Sequence, residues 1–126
     1  MRLAQPLLLI ALLPGTLAAD TAAAQDRARS GSFDATAEVR CAQEVGQSLD
    51  ACGAEVARAG QSAAVVVTFA NGFARTLTFS DHAFLRGNAT MSGVGTDVDW
   101  RLSEGIYYVR VDDQRFEIPQ ALVAAD

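Results

Sequence analysis

The side chains that could perform acid–base chemistry are few, and the first of them is a histidine. His82 is the only histidine of the 126-residue chain, and it follows Asp81 in a short polar segment typical of a turn. Catalysis by this pair would also need a nucleophile, and the sequence contains no Gly-x-Ser-x-Gly motif. The pattern therefore predicts a solvent-exposed turn histidine.

Four aspartates form the second candidate for chemistry. Asp97 and Asp99 are two residues apart, so both carboxylates point the same way on a strand. Together with Asp112 and Asp113 they could bind calcium, or two of them could serve as acid and base of a small hydrolase. Calcium loops hold more ligands at closer spacing, and glycosidases need a larger cleft. We favour a solvated acidic face, and we predict no enzyme activity, no metal and no cofactor.

A glycine-rich segment is the strongest candidate for binding. Residues 92–96 place two glycines within four positions, close to the only tryptophan of the chain. Backbone amides of such a loop can bind carboxylates, and the loop itself can enter the groove of a partner. A bulged hairpin connection is the alternative interpretation. The candidate binding residues are Ser92, Gly93, Gly95, Thr96 and Trp100.

The N-terminal residues have the pattern of an export signal. Arg2 precedes a short apolar run, Leu7–Leu13, and small residues follow up to Ala24 in an Ala-x-Ala cleavage pattern, with Ala19 as the second site. The apolar run is too short to span a bilayer, which needs about 20 residues. We therefore predict a signal peptide over residues 1–24, a periplasmic or secreted product and no membrane span.

The two cysteines are predicted to form a disulfide. Cys41 and Cys52 are the only cysteines, and an even number in an exported chain favours pairing. Their spacing does not fit a Cys-x-x-Cys redox site, and two cysteines with one histidine make a poor zinc set. Closing so short a loop stabilises a fold by about 2–3 kcal/mol.

The elements that must carry these residues are predicted to be strands. Residues 25–32 are small and polar and are predicted to be a flexible leader, and residues 33–126 a single β domain without a convincing helix. From Phe33 onward apolar and polar side chains alternate, which is typical of strands with one wet face. We predict a small antiparallel barrel or sandwich of about eight short strands, and prefer the barrel because closure hides the strand edges. The predicted strands are 33–40, 52–57, 63–69, 73–79, 83–86, 97–102, 106–111 and 114–118.

One hairpin register can be predicted from the sequence. A three-residue loop 70–72 with Gly72 in the left-handed conformation pairs Val67 with Arg75 and Val65 with Leu77. This register gathers the large apolar side chains on one face. It also directs Arg75 inward, where a buried arginine needs a carboxylate partner.

The charge balance excludes several classes of partner. The formal net charge is −5, and all ten basic residues are arginines. An acidic chain repels nucleic acids and anionic membranes, so neither is predicted as a partner. The absence of lysine also excludes Schiff-base chemistry.

Two resemblances to known families rest on short motifs. The segments Tyr108–Val111 and Arg115–Pro119, with Asn71-Gly72 followed by Arg75, resemble an uncharacterised group of exported bacterial proteins. Ser92-Gly93, Trp100 and Glu104-Gly105 resemble the periplasmic inhibitors of c-type lysozyme, which are small antiparallel β-barrels. That family has tyrosine where this chain has Thr96, and lysine in place of Glu104. The second resemblance implies a loop whose serine enters the lysozyme cleft.

The combined pattern favours a non-catalytic binding module of the bacterial envelope. Its predicted partner is a periplasmic protein, which is a lysozyme if the second resemblance holds. A structural or accessory envelope protein without a soluble ligand is the alternative. A small hydrolase is the third hypothesis.

Overall fold

The alternating pattern of the sequence forms eight strands, flanked by two helices. A computed structural model of the protein describes residues 15–88 and 97–124. Every predicted strand is present, although β1 continues past Cys41, and β2 begins two residues earlier than predicted. The elements are α1 (Gly15–Arg29), β1 (Ala35–Ala42), β2 (Asp50–Ala59), β3 (Ser62–Thr68), β4 (Ala74–Ser80), β5 (Ala83–Gly87), β6 (Val98–Ser103), β7 (Ile106–Val111), β8 (Gln114–Pro119) and α2 (Gln120–Val123).

The strands form one antiparallel sheet that curls into a nearly closed barrel. Their order is β5-β4-β3-β2-β1-β8-β7-β6, so the first and last strands of the chain are neighbours, joined by pairs such as Cys41 with Phe116. The two ends of the sheet approach each other closely, because a Cβ added at Gly87 would lie 3.1 Å from Val111. The predicted small all-β barrel is confirmed.

The β3–β4 hairpin has the register predicted from the sequence. Val65 pairs with Leu77 and Val67 with Arg75. The amide of Phe69 donates to the carbonyl of Phe73 at 2.8 Å, and Gly72 has φ of 92°, as a left-handed loop position requires. The apolar side chains of both strands therefore reach the same interior.

The barrel interior holds one apolar core, and the predicted disulfide joins two neighbouring strands at the wall of that core. Cys41 and Cys52 lie on adjacent strands with Cα atoms 6.0 Å apart, and both side chains are buried. The short helix α2 contributes Leu122 and Val123 at one end of the barrel. The largest buried apolar side chains include Tyr107, Phe79, Phe116, Leu77, Ile118, Val56, Val65, Val67 and Val111.

Helix α1 is the element that the sequence did not predict. Residues 25–29, predicted as part of a flexible leader, continue this helix instead. Within residues 33–126 the described helix is α2, a single turn of four residues. Helix α1 packs on the outer face of β2, β3 and β4. Its buried positions, Thr21 and Ala24, are small or polar, so no stripe of large apolar residues marked it in the sequence.

The outer face under α1 consists of small side chains. Ala57, Ala64 and Thr78 point away from the barrel interior, yet each is at most 2% exposed because α1 covers them. Neither α1 nor α2 is long and apolar enough to cross a membrane. The predicted signal segment, residues 1–24, lies largely before or within α1, and its removal remains a prediction.

Candidate functional site

The predicted binding loop lies outside the described residues, with one exception. Ser92, Gly93, Gly95 and Thr96 fall in the segment 89–96, and their role remains a prediction. Trp100 lies on β6, where it pairs with Val109. Its ring is 6.0 Å from that of the buried Tyr107, and the residue is 37% exposed. Trp100 therefore belongs to the inward side of the sheet, at an edge strand.

The aspartates of the predicted acidic face are engaged by other groups. Asp97 and Asp112 meet at the start of β6, where the amide of Asp97 donates to Oδ1 of Asp112 at 3.0 Å. Nη1 of Arg110 lies 3.3 Å from Oδ2 of Asp97. Over residues 15–88 and 97–124, no three His, Cys, Asp or Glu side chains are grouped as a metal site would require.

His82 lies in the β4–β5 turn and is exposed. Both Asp81 and His82 have positive φ, 52° and 65°, as a tight two-residue hairpin turn requires. His82 borders a depression with Arg58, Ser80 and Tyr107, whereas Asp99 borders a different groove. The structure therefore does not bring the histidine together with the carboxylates of the hydrolase hypothesis.

Arg75 is buried inside the barrel, with 2% of its side chain exposed. Its Nε donates to Oε1 of Gln114 at 2.9 Å, and Nη1 donates to the carbonyl of Asn88. Oδ2 of Asp112 is 3.6 Å from Nη2. Burial lowers the pKa of Arg75, and Asp112 acts in the opposite direction. Arg75 therefore joins β4 and the end of β5 to the β7–β8 turn.

The described residues also form a groove that the sequence did not predict. It has a volume of about 480 Å³ and lies on the outer face of β6, β7 and β8. Cross-strand pairing places its side chains, because Arg101 lies opposite Tyr108, and Tyr108 opposite Glu117. We call it the arginine groove, and its outward-pointing lining is Leu49, Asp99, Arg101, Tyr108, Arg110, Arg115 and Glu117.

An arginine and a tyrosine form the centre of the arginine groove. The guanidinium carbon of Arg101 lies 4.0 Å from the centre of the Tyr108 ring. Stacking of this kind leaves the planar N–H edges of the guanidinium available to a ligand. Tyr108 is half-buried and Arg101 is exposed. The pair therefore presents a flat cationic surface to solvent.

The loop between β1 and β2 forms one wall of the arginine groove. Oε1 of Gln47 accepts hydrogen bonds from the amides of Gln43 and Glu44, at 2.8 and 2.9 Å. Arg115 donates to the carbonyl of Gln47 and thereby ties the loop to β8. Val45, at the tip of this loop, is 77% exposed. The loop residue that lines the groove itself is Leu49.

The charge of the arginine groove is opposite to that of the whole chain. Arg101, Arg110 and Arg115 outnumber the two carboxylates of its lining, Asp99 and Glu117, and Arg110 is also paired with Asp97 beside the groove. Arg40 adds a fourth guanidinium 3.8 Å from Glu117. The chain as a whole carries −5, so this face is a local cationic surface on an acidic protein.

The sequence contained a signal for this groove. Arg115, Phe116, Glu117 and Ile118 alternate between polar and apolar, and pairing with Tyr108 and Arg110 places the charged members together.

Comparison with known proteins adds nothing to this site: the chain matches no family model, and no curated protein or solved structure matches it. The two family resemblances therefore stand as predictions.

Proposed function

We propose that the protein is an exported, non-catalytic binding module of the bacterial envelope, and that the arginine groove holds its ligand. The observation that carries this proposal is the convergence of Arg101, Arg110 and Arg115 around Tyr108 in an open groove. Guanidinium groups bind carboxylates through two parallel hydrogen bonds. The ligand should therefore carry carboxylate groups.

A segment of a partner protein fits this groove better than a free acidic sugar. Val45 lies exposed on the neighbouring loop, and Leu49 lines the groove itself. Apolar side chains beside guanidinium groups favour a ligand in which acidic and apolar residues alternate. We assign the occupant as an acidic segment of an envelope protein.

The proposed compartment has support from the disulfide. Cys41 and Cys52 are paired, and such bonds form and persist in the periplasm and outside the cell. The apolar run Leu7–Leu13 adds an export pattern at the N-terminus. Both features favour a periplasmic or secreted protein.

A peptide titration tests the groove directly. The probe is a short peptide of alternating glutamate and leucine, compared with matched peptides in which glutamine or lysine replaces glutamate. We expect the acidic peptide alone to shift the NMR signals of the Arg101 Nε–H and the Tyr108 ring. If no peptide produces a shift at millimolar concentration, the groove does not bind acidic segments. A structural or accessory role without a soluble ligand would then be favoured.

Matched arginine substitutions separate the groove from general charge. Arg101→Gln removes a groove guanidinium, and we expect at least a tenfold loss of peptide affinity, about 1.4 kcal/mol. Arg86→Gln removes one positive charge from an exposed position of β5, outside the groove. This control should retain most of the affinity. Equal losses in the two variants would show that only net charge matters.

The barrel also favours a more specific version of this function. Inhibitors of c-type lysozyme are small antiparallel barrels, and this chain has the fold that the resemblance predicted. In that version the ligand contact is the loop containing Ser92. The purified protein should then inhibit c-type lysozyme at micromolar concentration, and Ser92→Ala should weaken the inhibition. Full lysozyme activity in the presence of excess protein would eliminate this version.

A further inference from the structure

Helix α1 becomes buried between Ala19 and Ala24, the two candidate sites for cleavage of the signal peptide. Leu17, Ala18 and Ala19 are exposed, whereas Asp20 is half-buried and Thr21 is only 6% exposed. Ala19 and Ala24 both offer the small residue that signal peptidase needs directly before its cut, but three positions before the cut the first site has Leu17 and the second has the small Ala22. The Ala-x-Ala pattern favours cleavage after Ala24. The fold distinguishes the two sites by the contacts of α1 that each cut would remove.

Residues 20–24 make contacts that hold α1 on the barrel. Oγ of Ser62 lies 3.0 Å from the hydroxyl of Thr21 and donates to Oγ of Ser80 at 2.9 Å, in a buried hydroxyl chain. Oδ2 of Asp20 accepts a hydrogen bond from the amide of Gln61 at 3.2 Å. Ala24 has no exposed surface. These contacts join the helix to both β3 and β4.

The β2–β3 turn is shaped to receive Asp20. A Cβ added at Gly60 would lie 2.1 Å from the Asp20 carboxylate, so only a glycine leaves this space free while the carboxylate stays in place. Gly60 also has a positive φ of 55°. The turn and the half-buried Asp20 of α1 therefore fit each other.

A cut after Ala24 would remove these contacts. Only Gln25–Arg29 would remain of the helix, and a helix so short does not persist alone in water. Thr21 and Ala24 would no longer cover Ser62 and Ala64. A cut after Ala19 removes Leu17, Ala18 and Ala19, whose side chains are exposed, together with the Leu17 carbonyl that accepts a hydrogen bond from the Thr21 hydroxyl at 2.9 Å.

We infer that signal peptidase cleaves the bond between Ala19 and Asp20, so that the mature protein begins with α1 already complete at its contact face. Signal segments are removed before the exported chain folds, so residues that the fold uses must follow the cut. Water supplies the hydroxyl that completes the new carboxylate of Ala19 and the proton that completes the new amine of Asp20. The inference depends on export, which belongs to the proposed function, but not on the arginine groove.

The N-terminus of the exported protein tests the inference. The full-length chain is expressed with its own leader in a Gram-negative host, isolated from the periplasm, and measured by intact mass and N-terminal sequencing. We expect the sequence to begin at Asp20. A protein beginning at Gln25 would overturn the cleavage inference while leaving export intact. An unprocessed chain that stays in the cytoplasm would overturn the inference and the proposed compartment together.

Two substitutions at exposed positions sharpen this test without disturbing the packed helix. Ala19→Glu places a charge directly before the inferred cut, and we expect it to prevent release of the species that begins at Asp20. Ala22→Glu disrupts the Ala-x-Ala pattern that ends at Ala24, and we expect the N-terminus to stay at Asp20. The opposite result, with Ala22→Glu alone blocking processing, would place the cut after Ala24.

Discussion

Two outer faces of the same barrel carry opposite chemistry. On β2, β3 and β4 the outward side chains include Ala57, Ala64 and Thr78, which are small and covered by α1. On β6, β7 and β8 the corresponding positions carry Arg101 and Tyr108, which no described helix covers. The size and charge of the outward side chains thus determine which face the protein covers.

This difference has a simple energetic basis. Small side chains let the backbone of α1 approach the sheet, and the hydroxyls of Thr21, Ser62 and Ser80 are hydrogen-bonded in a chain that ends at the carbonyl of Leu17. Covering the arginine groove would instead remove several guanidinium groups from water, which costs free energy unless carboxylates replace the water. The open face is therefore suited to a ligand that brings its own negative charges.

The largest effect is expected from a charge placed under α1. Ala57→Glu buries a carboxylate on the covered face, and we expect it to lower the free energy of unfolding by about 3 kcal/mol. Urea denaturation measures this loss. Ala51→Glu is the matched control, because Ala51 lies on the same strand and faces outward but is exposed. The control should change stability by no more than about 0.5 kcal/mol.

A similar loss in both alanine variants would contradict the comparison of the two faces. It would show that the outer face of β2 is sensitive to charge along its whole length, with or without the helix. Near-native stability of Ala57→Glu would show instead that α1 leaves the barrel easily. Either result would also weaken the inference that the mature chain retains residues 20–24.

The strands and their register were predictable because their causes are local. Alternation with a period of two marks each strand, and Asn71-Gly72 marks the turn between β3 and β4. The inward Arg75 followed from register alone, since shifting the hairpin by one residue would turn Val65 and Leu77 to solvent. Each of these features depends on residues that lie close together in the sequence.

The helix and the arginine groove were not predictable for the opposite reason. The contact face of α1 uses Thr21 and Ala24, whose small size is meaningful only beside Ala64 on a distant strand. The groove brings together Arg101, Tyr108 and Arg115 across two consecutive hairpins, so their alternation is local. That this face stays open depends on α1 packing against β2, β3 and β4 instead, which no local pattern shows.

The stability of the open face, formed by β6, β7 and β8, is expected to depend on the buried side chain of Arg75. Arg75→Met leaves Gln114 and the carbonyl of Asn88 without their donor, and we expect a loss of about 2 kcal/mol in the free energy of unfolding. Hydrogen exchange should rise in β7 and β8 more than in β2 and β3. Arg86→Met, at an exposed position, is the control. Uniform exchange across the barrel would show that Arg75 does not act on the open face in particular.

The covered face should loosen in acid through one ion pair of α1. Hydrogen bonds from Arg27 and from the amide of Arg58 lower the pKa of Asp34 from 3.8 to about 2. Because the folded state lowers this pKa, the stabilisation is complete above pH 3.8 and is lost as the pH falls through about 2. Melting temperatures measured across this range should fall less steeply for Asp34→Asn.

Arg27→Gln separates this ion pair from other acid effects. It removes one partner of Asp34 and leaves the amide of Arg58, so the pH profile of its melting temperature should be flattened, but less than that of Asp34→Asn. The double variant should match Asp34→Asn. A steep acid loss that persists in all three variants would assign the acid sensitivity to groups elsewhere in the protein.

The smallest effect on stability is expected at the centre of the open face. Arg101→Ala removes the contact between the guanidinium and the Tyr108 ring, which at an exposed site contributes about 0.5–1 kcal/mol. Arg101→Lys keeps the positive charge but loses the planar group that stacks on the ring and grips a carboxylate. Both variants should unfold nearly like the wild type while binding the acidic peptide more weakly. If Arg101→Lys bound the peptide as tightly as the wild type, the groove would act through charge alone, and the stacked geometry would have no part in recognition.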